Sequence, residues 1–199
     1  SICFNFLYDP MYLYLIAMFA CSISLFAQQR VISESEYIPQ EKHFKNIRML
    51  TFEGENAEAY LSFDNTSLVF QRRGPEEQCD QIYVMKIDGT GMKKISNGQG
   101  RTTCSYFLKD GSVIYATTAY NDAICPAPPD FSKGYVWPLY ATYDIVRADT
   151  ATGKILSTII KGTNYDAEAT ISPDGKEIVY TSIVDDDIEL FTCSIDGSR

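Results

Sequence analysis

Catalysis by this chain of 199 residues is limited first by its imidazoles, and it has one histidine, His43. His43 precedes every repeated element identified below, so the repeats cannot assemble a Ser-His-Asp arrangement. G-x-S-x-G, a phosphate-binding glycine loop and H-E-x-x-H are all missing. Cys79, Cys104 and Cys125 have neither C-x-x-C spacing nor a histidine nearby, which argues against zinc and leaves no cofactor implied. Two kinds of candidate remain. The carboxylates Glu58 and Glu168 could hold a cation, orient a basic peptide or do acid/base work, or simply satisfy backbone N–H groups in their own surroundings. Asp185 to Asp187 reads either as a Ca²⁺ loop or as a solvated turn. The stretch Ala119 to Thr142 holds four of the eight prolines, the single tryptophan Trp137, and the aromatics Tyr120, Phe131, Tyr135 and Tyr140. Rigid aromatics on a loop are typical partner anchors, although a self-packed flap has the same composition.

The elements that must position these residues are repeated. Ala57 to Phe70 (AEAYLSFDNTSLVF) and Ala167 to Tyr180 (AEATISPDGKEIVY) match without a gap, and Thr103 to Tyr115 (TCSYFLKDGSVIY) is a third copy, one residue shorter. Each reads as strand, turn, strand, because Asp-Asn or Asp-Gly tolerates positive φ between β-branched and aromatic flanks. A further strand follows each copy: Ile82 to Gly89, Tyr143 to Thr150 and Leu190 to Gly197. Its alternate positions, Tyr83/Met85/Ile87, Asp144/Val146/Ala148 and Phe191/Cys193/Ile195, predict one buried face, broken only at Asp144. With a short strand over Met92 to Ser96, four strands fall in about 45 residues, the period of a β-propeller blade. The predicted fold is therefore all-β: a propeller of four-stranded antiparallel blades, about three of them present.

The S-P-D-G of Ser172 to Gly175, followed by an apolar strand, a polar gap, an aromatic-containing strand and I-D-G, resembles the WD-like repeat of the TolB-type β-propeller family. The resemblance covers about Asn46 to Arg199, with blades over 53–97, 98–161 and 162–199. Proline is missing from the turns at Phe63-Asp64-Asn65 and Leu108-Lys109-Asp110, and glycine at Thr150. The segment 28–52 is expected to be a linker ending in an outer strand, Ile47 to Thr51, of the kind that completes the last blade in such propellers. The third unit stops before its outer strand, so a fragment of a longer protein is expected.

Blade architecture turns positions into faces. First strands lie nearest the axis, where Ala57, Ala59, Ser105, Ala167 and Ala169 suit the crowding. Glu58, Cys104 and Glu168 are equivalent, each six residues before its turn aspartate, near one rim and the channel mouth. Cys79, Cys104 and Cys125 fall on that rim, so one disulfide is expected, Cys104 to Cys125 or else Cys79 to Cys104. Cys193 reads as a core residue.

Residues Met11 to Ala27 form an uncharged apolar run preceded by a single charge, Asp9. The run reads as a signal peptide over 1–27, with a membrane anchor or a lipid-modified Cys21 as alternatives. A net charge of −9 argues against nucleic acid and anionic lipid as partners. The TolB resemblance implies an exported, periplasmic or cell-envelope scaffold for a protein or peptide partner, without catalysis in this chain. The alternative is the gating propeller of a prolyl-oligopeptidase- or dipeptidyl-peptidase-like serine hydrolase whose catalytic domain lies beyond residue 199.

Overall fold

The computed structural model describes residues 30–31 and 40–198, which form thirteen strands and no helix. No helix long and apolar enough to cross a membrane occurs among the described residues. The apolar N-terminal run lies outside them.

Strands β3 (Glu55–Leu61), β4 (Ser67–Arg73), β5 (Gln81–Lys86) and β6 (Lys93–Lys94) form the first antiparallel blade. β7 (Thr102–Phe107), β8 (Val113–Thr117), β9 (Asp144–Ala148) and β10 (Ile155–Ile160) form the second, and β11 (Asp166–Ile171), β12 (Glu177–Val184) and β13 (Asp187–Ser194) the third. Each blade is a meander, with sequential neighbours paired. The turns explain why. Asp64 accepts the Ser62 hydroxyl at 2.6 Å and the Thr66 N–H at 3.1 Å. Asp110 does the same for Ser112, and Asp174 for Ser172 and Lys176. These bonds close the first hairpin of every blade locally, whether or not proline is present.

The blades stack in order. β7 packs on β3, β4 and β5, and β11 on β7, β8 and β9. Val69, Ile82, Phe107, Val113 and Val146 fill the first junction; Leu108, Ile114, Ile145, Ile178 and Cys193 fill the second. Cys193 is thus a core residue. The second blade is buried on both faces, since all five residues of β8 are buried. The first blade is covered on the side facing the second, and Ile87, on its other face, is 43% exposed. Likewise Ala57 and Ala59 are exposed, whereas Ala167, Ala169 and Ser105 are buried against a preceding blade.

The N-terminal strands β1 (Arg30–Val31) and β2 (Arg48–Met49) pair with each other and with no blade among the described residues. A regular contact nevertheless places the end of β2. Gly153 and Gly197, both with positive φ, lie so close to the outer strand of the preceding blade that a Cβ would meet Ile95 O at 2.6 Å and Ile159 O at 2.3 Å. At the equivalent Gly89 the neighbour is Leu50.

Candidate partner-binding site at the axial mouth

Every innermost strand carries the same irregularity. The pairing of β3 with β4 shifts between Ala57 and Tyr60, that of β7 with β8 between Thr103 and Tyr106, and that of β11 with β12 between Ala167 and Thr170. In each shift the inner strand has one residue more than its partner, which is a β-bulge. The bulged residues are Glu58, Cys104 and Glu168, at φ of 51°, 50° and 58°. A non-glycine residue is uncommon in this left-handed region. Three at one register show that the repeat itself imposes the conformation. The bulge also inverts side-chain parity along the strand, so residues on either side of it no longer alternate as in a simple strand.

The three bulges converge. A cavity of about 390 Å³ is lined by Glu58, Cys104 and Glu168 together with Tyr60, Tyr106 and Trp137. Tyr60 and Tyr106 meet ring to ring at 5.0 Å. A second cavity of about 260 Å³ shares Glu58 and Trp137 and continues to Tyr135, Tyr140, Tyr165 and Arg101. The mouth is therefore acidic at its floor and aromatic along its walls. Glu168 accepts hydrogen bonds from the Thr181 hydroxyl at 2.7 Å and the Tyr165 hydroxyl at 3.1 Å. Burial pushes the Cys104 thiol up to about 12, assisted by the charges of Glu58 and Glu168 and opposed by a bond from Thr103. It stays a neutral thiol, not a thiolate nucleophile.

Cys104 does not form the expected disulfide. The bridge joins Cys79 to Cys125, with Cα atoms 5.6 Å apart, and Cys104 is free. Both earlier pairings used Cys104, which the bulge turns to the axis. Cys79 lies in the loop before β5, where the insertion of the second blade folds across it. The bridge ties that insertion to the first blade.

The insertion is fastened at its base and open at its tip. The Asn121 amide donates to Thr142 O at 3.1 Å, and Tyr140 lies under the Arg101 guanidinium at 5.7 Å and donates to Ala127 O at 3.2 Å. Arg101 is itself paired with Asp80 at 2.5 Å. Phe131 and Tyr135 stack at 6.2 Å, and Tyr135 and Trp137 are 81% and 56% exposed. Of the residues singled out from sequence, Glu58, Glu168, Tyr135, Trp137 and Tyr140 meet at the mouth. Phe131 joins through its stack on Tyr135, while Tyr120 lines neither cavity. Tyr60, Tyr106 and Tyr165 were not anticipated; the first two stand two residues after a bulge, a regularity visible once the bulge is placed. Asp185 and Asp186, at φ of 51° and 63°, are the two central residues of the β12–β13 hairpin. That two-residue turn requires positive φ at both positions, which suits aspartate at 185 and 186, while Asp187 opens β13.

No protein-family model and no curated protein matches the sequence. Solved structures do. The structure assigned as TolB from Agrobacterium tumefaciens aligns at a TM-score of 0.56 and 19% identity, over 76% of this chain and 50% of that one. Kuenenia stuttgartiensis hydrazine synthase aligns at 0.55 and 16%, over 77% of this chain and 26% of that one. A prolyl endopeptidase aligns at 0.48 and 12%, over 74% and 21%. The chain thus spans about half the length of the TolB structure and about a quarter of the hydrazine synthase. The fold is that of a TolB-like β-propeller, with the described blades forming an incomplete ring.

Proposed function

We propose that this TolB-like propeller is an exported scaffold of the bacterial cell envelope that holds a protein or peptide partner at its axial mouth, and that this chain performs no catalysis. One observation carries the reading: the bulges bring Glu58 and Glu168 from the first and third blades to a single cavity that Trp137, from the insertion of the second, also lines. Carboxylates beneath aromatic walls suit a cationic side chain on an extended peptide, which gains charge pairing and cation–π contact together. The exposed tip of the insertion adds rigid aromatic area at the rim. Export is supported by the apolar run before residue 28 and by the Cys79–Cys125 bridge, which suits an oxidising compartment. The segment 28–52 supplies an outer strand to the last blade of the complete ring, a role supported by the seat of Leu50 against Gly89.

The test is capture of partners from an envelope extract by the full-length exported protein. Trp137→Ala is expected to abolish capture, and Glu58→Gln combined with Glu168→Gln to weaken it about tenfold or more, with far-UV circular dichroism unchanged. Capture that survives Trp137→Ala rejects the reading. An α/β-hydrolase sequence with G-x-S-x-G after the last blade of the full protein would replace it with the peptidase-gating alternative.

A further inference from the structure

The blade junctions repeat in their polar contacts as well as in their cores, and one of them departs from the pattern. At the first junction the Gly98 N–H donates to Gln81 Oε1 at 3.1 Å, the Ser96 hydroxyl donates to the same oxygen at 2.6 Å, and Gln81 Nε2 donates to Gly100 O at 3.1 Å. Gln81 is 2% exposed, and both ends of its amide are satisfied. At the second junction Gly162 stands where Gly98 stands, and its N–H donates to Asp144 Oδ1 at 3.1 Å. Asp144 replaces Gln81, and Ile160 replaces Ser96. Asp144 is also the one residue that interrupts the apolar face of its strand.

This substitution removes two partners and adds a charge. Asp144 is 0% exposed, and its Oδ2 has no hydrogen-bond partner. Asp166, at the start of β11, is 4% exposed. Both carboxyls press on one glycine, since a Cβ on Gly162 would lie 3.1 Å from Asp166 Oδ2. Among the described residues neither carboxyl forms an ion pair. From β12 the group facing Asp166 is the Ser182 hydroxyl, and from the insertion the titratable group facing Asp144 is the Tyr120 phenol. Neither brings positive charge. Two buried carboxylates without a cation cannot both remain ionised at modest cost.

We propose that the junction between the second and third blades is a proton-binding site, in which Asp166, buried beside Asp144, takes up a proton on folding and so grips the third blade more tightly at mildly acidic than at alkaline pH. The bound proton gives the pair the donor that the amide supplies in Gln81. Burial first, and the charge of Asp144 second, hold Asp166 above its ordinary value against a bond from Ser182. A carboxyl raised in the folded state contributes its full stability below the unfolded value, and that contribution is lost as pH rises through the folded value.

Amide exchange at Gly162 in the full chain tests this, read as the opening constant after correction for the base-catalysed intrinsic rate. Between about pH 5, nearer the ordinary carboxylate range, and about pH 8 the wild type is expected to open roughly threefold or more often at the higher pH. In Asp144→Asn, which is neutral and isosteric, the ratio falls part of the way towards one, because burial of Asp166 remains. Asp166→Asn removes the titrating carboxyl itself, takes the ratio to about one, and serves should the first variant fold poorly. A pH ratio unchanged in both variants overturns the proposal. So does protection of wild-type Gly162 at about pH 8 by millimolar Ca²⁺ that Asp144→Asn abolishes, because the pair then binds a metal ion and not a proton.

Discussion

The two blade junctions share one backbone plan and differ in how they are secured. The first is tied by the Cys79–Cys125 bridge, by the Arg101–Asp80 ion pair and by Thr102, whose N–H and hydroxyl both donate to Asp80 O at 3.0 Å. The second has none of these ties among the described residues and relies on its apolar core, with two carboxyls at the rim where the first has a glutamine and a threonine. Packing of one blade on the next is therefore general to the repeat. The polar fastening at the rim is particular to each junction, and it is the part free to acquire a dependence on redox state or pH.

The sharpest way to break this asymmetry is to cut the bridge. Cys79→Ser with Cys125→Ser opens a loop of sequence separation 46 and should lower stability by roughly 4 kcal/mol. Urea unfolding with and without reductant measures it, and the opening of Gly162 should not change. An unaltered midpoint on reduction would mean that the bridge does not distinguish the two junctions. Asp80→Ala should cost about 1–2 kcal/mol, allowing for partial solvent access, because it strands a guanidinium whose side chain is 20% exposed. It should also loosen Tyr140 beneath that guanidinium, seen as greater quenching of aromatic fluorescence at the insertion. The smallest contrast concerns what the blades have in common. Asp64 and Asp174 are held below their ordinary value by bonds from Ser62 and Ser172 respectively, and Asp110 is too, because bonds from Ser112 and the charge of Arg147 outweigh its burial. A lowered carboxyl contributes stability above the unfolded value that is lost as pH falls. All three blades should therefore weaken together below about pH 4, with Asp144→Asn leaving that acid limb unchanged. A variant that shifts the acid limb would couple the turns to the junction.

Much of this was legible in the residues. The period, the hairpin aspartates and the equivalence of Glu58, Cys104 and Glu168 follow from local chemistry repeated at a fixed spacing, which a single sequence displays. The disulfide did not, because pairing depends on where the insertion lands and on which way Cys104 points, and both are tertiary. Tyr60 and Tyr106 were missed for a related reason: strict alternation breaks down across a bulge. The exposed side of Ile87 shows the same limit, since alternation marks a face as apolar without saying whether a neighbour covers it.

The bulges have one more consequence. Each lifts a single side chain out of the hydrogen-bonded ladder, so its identity is released from the sheet's demands while its location stays fixed. The mouth thus reads as a ring of letters, one per blade, here Glu, Cys and Glu. Such a surface is respelled one residue at a time without disturbing the scaffold that displays it.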